Sequence, residues 1–330
     1  MIHHFPSRRP AVVFDPLPSR RDASEARRIG VEVEFTGLSA RTAAQALSVG
    51  LGGTVAEEDP HAFLVRDTRL GDLTVELDIR YVHPQRAYGT TLPVCLGPRA
   101  AAWLGSVVSG IVPRELITGP MSVEGLTGVD WAIDVLRRAG ATGRGTTRFG
   151  SLGLHFNIDL PDLGVETLTA ILKAFLLLEP WLRHETARAD AHRPSFLPAP
   201  YPADYVRRVV APDYQPDLAT FAEDYLTANP TRDRGLDLLP ILLHLDARRV
   251  RARLPREKIG ARPVLHYRLP QAHVGEPGWS IAPDWNRWVA VERLAEDRNG
   301  LVALGWAYRG FGGTKEAWVQ HARSIAFGVC

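Results

Sequence analysis

The stretch Ile29-Gly30-Val31-Glu32-Val33-Glu34-Phe35 constrains this chain more than any other. Branched and aromatic residues alternate with polar ones, which is the period of a β-strand. Strand geometry puts Val31, Val33 and Phe35 on one face and Glu32 and Glu34 on the other. With the apolar face buried, the two carboxylates either look into water or line a cleft. In a cleft, two like charges need a cation to coexist.

The pattern recurs. Leu73-Thr74-Val75-Glu76-Leu77-Asp78-Ile79 places Glu76 and Asp78 on one strand face, and Ser151 to Asp159 does the same with His155, Asn157 and Asp159. One such pair is common on a solvated sheet. Three, each flanked by Val, Leu, Ile or Phe, suggest a shared polar surface. If the strands are neighbours, that surface carries four carboxylates and an imidazole, an arrangement that divalent cations stabilise. Hard oxygen ligands point to Mg²⁺ or Mn²⁺, and no Cys or paired-His spacing argues for zinc.

The remaining sequence frames these strands. At 330 residues the chain is long enough for a large core, and its 45% hydrophobic and 23% charged residues are those of a soluble globular protein. A net charge of +2 and the lack of a long basic tract give no sign of nucleic acid; Arg248 to Arg253 reads as a solvated helix face. Two cysteines, Cys95 and Cys330, form neither a metal motif nor a disulfide framework, which fits a reducing, cytoplasmic setting. Residues 1–27 read as an extended leader and 28–330 as a single catalytic-type domain with helical insertions. The most apolar run, Leu168 to Leu182, is broken by Lys173, Glu179 and Pro180, so a buried core helix is expected and no membrane span.

Short runs at 54–58, 62–67 and 73–82 form an antiparallel meander after a helix over 40–51 capped by Ser39. Helices are expected at 99–110, 129–139, 165–185, 217–229, 236–246, 284–297 and 315–326, and strands at 114–118, 151–159 and 263–269. Residues 194–216, crowded with Pro and Tyr, read as a long ordered loop. Antiparallel strands with inserted helices make an α+β protein.

No glycine-rich phosphate loop is present; Gly143-Arg144-Gly145-Thr146-Thr147 reads as a turn. A nucleotide would therefore be held by metals and arginines against the sheet. Arg268 shares a strand face with His266 and is the candidate phosphate clamp, because guanidinium forks to anionic oxygens. Arg232 is a further candidate nucleotide contact, against the simpler reading of Arg232 and Asp237 as a cap and ion pair at a helix start.

Several of these segments, in this order, resemble the amidoligase family of carboxylate–amine ligases, relatives of glutamine synthetase and glutamate–cysteine ligase. They are Gly30-Val31-Glu32-Val33-Glu34-Phe35, Val75-Glu76-Leu77-Asp78, Leu154-His155-Phe156-Asn157, Asn229-Pro230-Thr231-Arg232 with Leu236-Asp237-Leu238-Leu239-Pro240, Tyr267-Arg268-Leu269-Pro270, and Trp285-Asn286-Arg287-Trp288 with Val291-Glu292. The resemblance implies a curved antiparallel sheet forming an active-site funnel, with helices on its outer face, as in glutamine synthetase. It implies that Glu32, Glu34, Glu76, Asp78 and His155 are metal ligands, with Asn157 contacting substrate or nucleotide and Arg268 the arginine of the late strand. One departure stands out: His266 occupies the place of a metal-binding Glu, so the site keeps a ligand but loses a negative charge.

The implied reaction has two steps. ATP phosphorylates a substrate carboxylate, and an amine then displaces phosphate from the acyl phosphate. Asp59, in the meander turn, is the candidate base, and a glutamine amidotransferase partner supplying ammonia fits the family. A guanidino kinase-like phosphotransferase and a nucleotide-binding module without turnover are the alternatives. Replacing Glu32 by Gln is expected to remove metal-dependent nucleotide binding at no loss of stability, since like-charge repulsion is relieved.

Overall fold

The strand around Glu32 forms as β1 (Ile29–Phe35) and lies inside an eight-stranded antiparallel sheet. The computed structural model describes residues 12–19, 26–78, 112–147, 150–188, 196–257 and 259–326. The strand order is β2-β3-β4-β5-β1-β8-β10-β9, open at both edges. The members are β2 (Thr54–Asp59), β3 (Ala62–Thr68), β4 (Gly71–Leu77), β5 (Arg114–Thr118), β8 (Leu154–Asp159), β9 (Leu236–Asp237) and β10 (Val264–Tyr267). A separate two-stranded ribbon pairs β6 (Thr146–Thr147) with β7 (Gly150–Ser151). The protein is α+β, as its sequence implies.

Alternation decides which side of the sheet is core. Val31, Val33, Phe35, Val75, Leu116, Leu154, Phe156, Ile158, Leu265 and Tyr267 are all fully buried. Helix α1 (Ala40–Leu51) packs on β3 and β4, and its start is fixed by Ser39, whose Oγ accepts from the Thr42 amide at 3.0 Å. Gly53 then lets the chain turn back tightly, with a positive φ of 90° and no room for a Cβ, which would lie 2.2 Å from the Arg66 carbonyl. At the other end, α3 (Val165–Arg188) and α8 (Ala282–Glu296) cover β8 and β10 through aromatic contacts. Phe156 meets Trp285 at 5.7 Å between ring centroids, and Tyr267 meets Trp288 at 5.1 Å and Phe175 at 6.1 Å. The apolar run 168–182 is thus a core helix, continuing through Pro180; among the described residues no helix is long and apolar enough to cross a membrane.

Helix α2 (Leu126–Arg138), α5 (Leu218–Ala228) and α10 (Lys315–Ala326) lie where periodicity puts them. Three segments differ. The helix expected over 236–246 starts only at Leu239, as α6 (Leu239–Leu245), because Leu236 and Asp237 pair with Tyr267 and His266 as β9 and Pro240 sits in the helix's first turn. Within 194–216, α4 (Ala203–Val209) forms because Tyr205, Val206 and Val209 share a buried face. α9 (Arg298–Gly310), not expected from sequence, follows an Asp297 cap that three glycines obscure, whereas α7 (Ala247–Arg253) is the expected arginine-bearing helix, with Val250 buried beneath it. The helix expected at 99–110 and residues 79–82 of the meander's last run lie outside the described residues.

Part of the leader is docked. Asn286 accepts from the Asp15 amide at 2.9 Å, and the Trp285 indole donates to the Asp15 carbonyl at 2.8 Å. Next to it, Arg27 forks onto Glu292 at 2.5 and 2.7 Å with both side chains almost fully buried, and Trp288 Nε1 donates to the same carboxylate. A buried pair of this kind is costly to break, because one partner alone leaves an uncompensated charge. Arg27→Ala is expected to lower unfolding free energy by about 3–5 kcal/mol in urea titrations. The double change Arg27→Met with Glu292→Leu should recover most of it. A single substitution without effect would place Glu292's charge elsewhere.

Candidate metal centre

The face of the sheet opposite the core carries the polar residues, and the strand register aligns them in rows. Glu34 stands opposite Glu115, and Glu115 opposite Glu76, across β1, β5 and β4. Glu32 stands opposite His155 across β1 and β8. Asn157 stands opposite His266, and His266 opposite Asp237, across β8, β10 and β9. Adjacent strands are spaced ~4.8 Å apart, so residues in register bring their side chains into contact. Of the three polar pairs expected from sequence, those on β1 and β8 are neighbours. The β4 pair is one strand away, and β5 fills the gap with a further carboxylate.

Glu32 is the hub. Its Oε2 lies 3.1 Å from His155 Nδ1 and 3.6 Å from His266 Nε2; its Oε1 accepts from Asn157 Nδ2 at 2.8 Å and faces Arg262 Nη1 at 3.4 Å. Glu34 accepts from the Gly153 amide at 2.8 Å. Among the described residues, two groupings bring potential ligand atoms within 4.8 Å of one another: Glu32, His155 and His266, and Glu34, Glu115 and His155. The donor set is oxygen and imidazole nitrogen, which suits divalent cations.

Two further observations fit a bound cation. His266 Nε2 is buried without a hydrogen-bond partner, and a buried polar atom left so is destabilising. Gly153 leaves open the space in which the His155 ring sits: a Cβ there would fall 2.3 Å from His155 Nε2. Gly153→Ala is therefore expected to displace the imidazole and weaken Mn²⁺ binding at least ~10-fold, measured by calorimetry. Unchanged affinity would remove His155 from the ligand set.

Electrostatics follow from burial against charge. Burial works to raise the Glu32 pKa, but the His155 hydrogen bond and the close approach of both imidazoles outweigh it and hold the carboxyl well below its ordinary value. Glu34 lacks such partners. Burial lifts it to about 7, reinforced by Asp78 and Glu32 and opposed by the Gly153 amide. Glu115 is also raised well above its ordinary value, by burial and then by the charges of Glu32, Asp78, Glu34 and Glu76. His155 is pushed down to about 4, chiefly by burial, so at neutral pH its imidazole is uncharged and able to ligate. Without a cation, the face suppresses the negative charge of Glu34 and Glu115, while Glu32 keeps its own.

The other expected residues distribute as follows. Asp237 is fully buried on β9; it accepts from Arg232 Nε at 2.9 Å and from the Leu239 amide at 3.0 Å, so it caps the following helix and also faces His266 at 3.5 Å. Arg268 is half-buried, with Nη1 donating to the Arg232 carbonyl at 2.9 Å and Nε without a hydrogen-bond partner, and its charge is felt at Glu34 and His155. Asp78 is exposed just past β4. Asp59 shares the Glu76 row but stands on the edge strand β2, where it accepts from the His61 amide at 2.8 Å.

Three residues escaped the sequence reading. Glu115 is alone on its strand face and follows Arg114, so it looks like half of a surface ion pair; the signal was the unfilled place between the β1 and β4 carboxylates. Arg262 precedes the β10 strand and reaches Asn157 Oδ1 at 3.3 Å as well as Glu32. Gln271 is buried opposite Gly153, and both its amide atoms lack partners. No local pattern announced either of these two.

The family model described as "Putative amidoligase enzyme" matches residues 25–290, which span β1 to α8 and every residue of the polar face. No curated protein matches the sequence. The match covers most of the chain, and the family it describes is one of ligase-type enzymes. The chain belongs to the amidoligase family.

Proposed function

We propose that this protein is an ATP- and divalent-metal-dependent carboxylate–amine ligase working in the cytoplasm, with a glutamine synthetase-like catalytic sheet. The observation that carries the reading is the row of buried carboxylates and imidazoles on β1, β5, β8 and β10, inside the segment matched by the amidoligase model. Glu34, Glu115 and His155 would hold Mg²⁺ or Mn²⁺, and Glu32, His155 and His266 a second divalent cation, with Glu76 and Asp78 beside them. Bound there, such ions neutralise nucleotide phosphates and stabilise charge on a transferring phosphoryl group.

The chain's own groups then act as follows. Arg268, with a free Nε–H, and Arg262, half-exposed beside Glu32, take phosphate oxygens. Asn157 and Gln271 orient the acceptor carboxylate through their amides. The carboxylate attacks the γ-phosphorus and ADP leaves; the amine attacks the resulting acyl carbon, phosphate leaves with the bonding pair, and the amine proton passes to a carboxylate at the rim. Asp59 is that base in our reading, although the charge of Asp78 is the one felt at Glu34 and Glu115. The substrates are a small-molecule or peptide acid and an amine or ammonia, the latter supplied by an amidotransferase partner where ammonia is used.

The test is turnover with ATP and Mn²⁺ or Mg²⁺ over a panel of acids, with hydroxylamine as the amine. A ligase releases phosphate and ADP in equal amounts and yields a hydroxamate visible by mass spectrometry. ADP with a stable phosphorylated product instead would mean a kinase, and no ADP over the whole panel would reduce the protein to a binding module.

A further inference from the structure

The two groupings on the polar face differ in chemistry. One is two carboxylates and a single imidazole, Glu34, Glu115 and His155; the other is one carboxylate and two imidazoles, Glu32, His155 and His266. The second is nitrogen-rich, its rings meeting edge to face with centroids 5.4 Å apart, and all three residues are at most 9% exposed. Imidazole favours Fe²⁺, Co²⁺, Ni²⁺ or Zn²⁺, whereas Mg²⁺ prefers oxygen and surrenders its water reluctantly.

We propose that the Glu32–His155–His266 triad selects a borderline divalent transition ion over Mg²⁺, with His266 as the selectivity-determining ligand and Asp237 as its positioning residue. The inference rests on the metal-holding part of the proposed function and on no part of its ATP or amide chemistry.

The surroundings of His266 support it. Its Nε2 faces Glu32 Oε2 at 3.6 Å, beyond hydrogen-bonding distance, and has no partner. Its Nδ1 lies 3.5 Å from Asp237 Oδ2 and 3.4 Å from Arg232 Nη2. A guanidinium only donates, so a bare Nδ1 accepts from Arg232, whereas a protonated Nδ1 turns to the carboxylate. A cation between Nε2 and Glu32 requires the second tautomer, with the Nε2 lone pair facing inward. Asp237 is placed to hold it, being itself fixed by Arg232 Nε and the Leu239 amide. A carboxylate behind a ligating imidazole fixes ring and tautomer and strengthens the ligand.

The test uses the full chain stripped with chelator and titrated separately with Co²⁺ and Mg²⁺ by calorimetry, without nucleotide. The visible spectrum of the Co²⁺ complex reports nitrogen ligation. Binding of Co²⁺ over Mg²⁺ should be strong in the parent, and His266→Glu should cut the Co²⁺-to-Mg²⁺ affinity ratio at least ~10-fold and alter the Co²⁺ bands. Asp237→Asn should weaken Co²⁺ ~10–100-fold while leaving Mg²⁺ binding nearly unchanged. His266→Gln, close to the parent in shape, serves the same comparison if His266→Glu does not fold. An unchanged ratio and spectrum in a folded His266 variant overturns the proposal and leaves the ligase reading standing. A shifted ratio in a protein that releases no phosphate has the opposite meaning.

Discussion

Glu32→Gln should abolish metal-dependent ATP binding, with affinity in the presence of Mn²⁺ falling at least ~100-fold, equivalent to about 2.7 kcal/mol. Glu32 offers both carboxylate oxygens to the polar face and belongs to the triad with both histidines. Gln keeps the volume but replaces one oxygen by a donor that repels cations. Calorimetry with ATP, with and without Mn²⁺, reads the loss directly. The fold should pay a modest cost, contrary to the expectation from sequence that repulsion would be relieved. The structure surrounds Glu32 with donors, so its charge is balanced, and losing charge-assisted hydrogen bonds costs about 1–2 kcal/mol. Unchanged nucleotide affinity in the folded variant would sink the metal reading of this face.

The second large effect concerns stability against pH in the metal-free protein. Glu34 has a folded pKa raised to about 7 from 4.5, and Glu115 is raised well above 4.5. A raised carboxyl binds a proton in the folded state that the unfolded state has lost, so each makes stability fall as pH rises from the unfolded to the folded value. His155 acts in the other direction: lowered to about 4 from 6.5, it makes stability rise with pH across that interval. Between pH 4.5 and 6.5, Glu34 and His155 therefore oppose each other. Above 6.5 the histidine contributes nothing more and the two carboxyls act alone.

The metal-free chain should accordingly lose about 1.4 kcal/mol per pH unit for each carboxyl still titrating, from near-neutral pH upward. A divalent ion stabilises both carboxylates in their charged form, so saturating Mg²⁺ or Mn²⁺ should flatten the profile and raise stability most at the alkaline end. Glu115→Gln should flatten it without metal. Urea unfolding from pH 6 to 9, with chelator or with Mg²⁺, measures the difference; coincident curves would mean that these carboxyls ionise freely in the folded chain.

What could be read from the sequence divides along physical lines. β1, β4 and β8 were legible because alternation is a local property, and the facing of Glu32, Glu34, Glu76 and His155 followed from it. Their meeting was not local. It depends on strand order, which placed β5 between β1 and β4 and made Glu115 a central residue though nothing around it in sequence says so. Asp237 was misassigned to a helix because its cap role is real and visible, whereas its pairing with His266 depends on β10. Arg262 and Gln271 are identified only by what surrounds them, a carboxylate in one case and an absence of partners in the other.

The strand order also bears on how the chain reaches this state. Glu32 and His155 are 123 residues apart, and Glu32 and Arg262, at the approach to β10, are 230 apart. Long loops must close before any of these groups meet, and such closures come at an entropic cost before contacts reward them. The proposed ion site thus has no template in a nascent or half-folded chain, and affinity there would belong to the finished sheet. Metal added during refolding is expected to leave the folding rate nearly unchanged and slow unfolding instead, the outcome for interactions absent from the transition state; faster folding with metal would put these strands in the nucleus. In the cell, ion uptake would then mark chains whose central strands have docked, and the loaded form would persist through a low rate of opening.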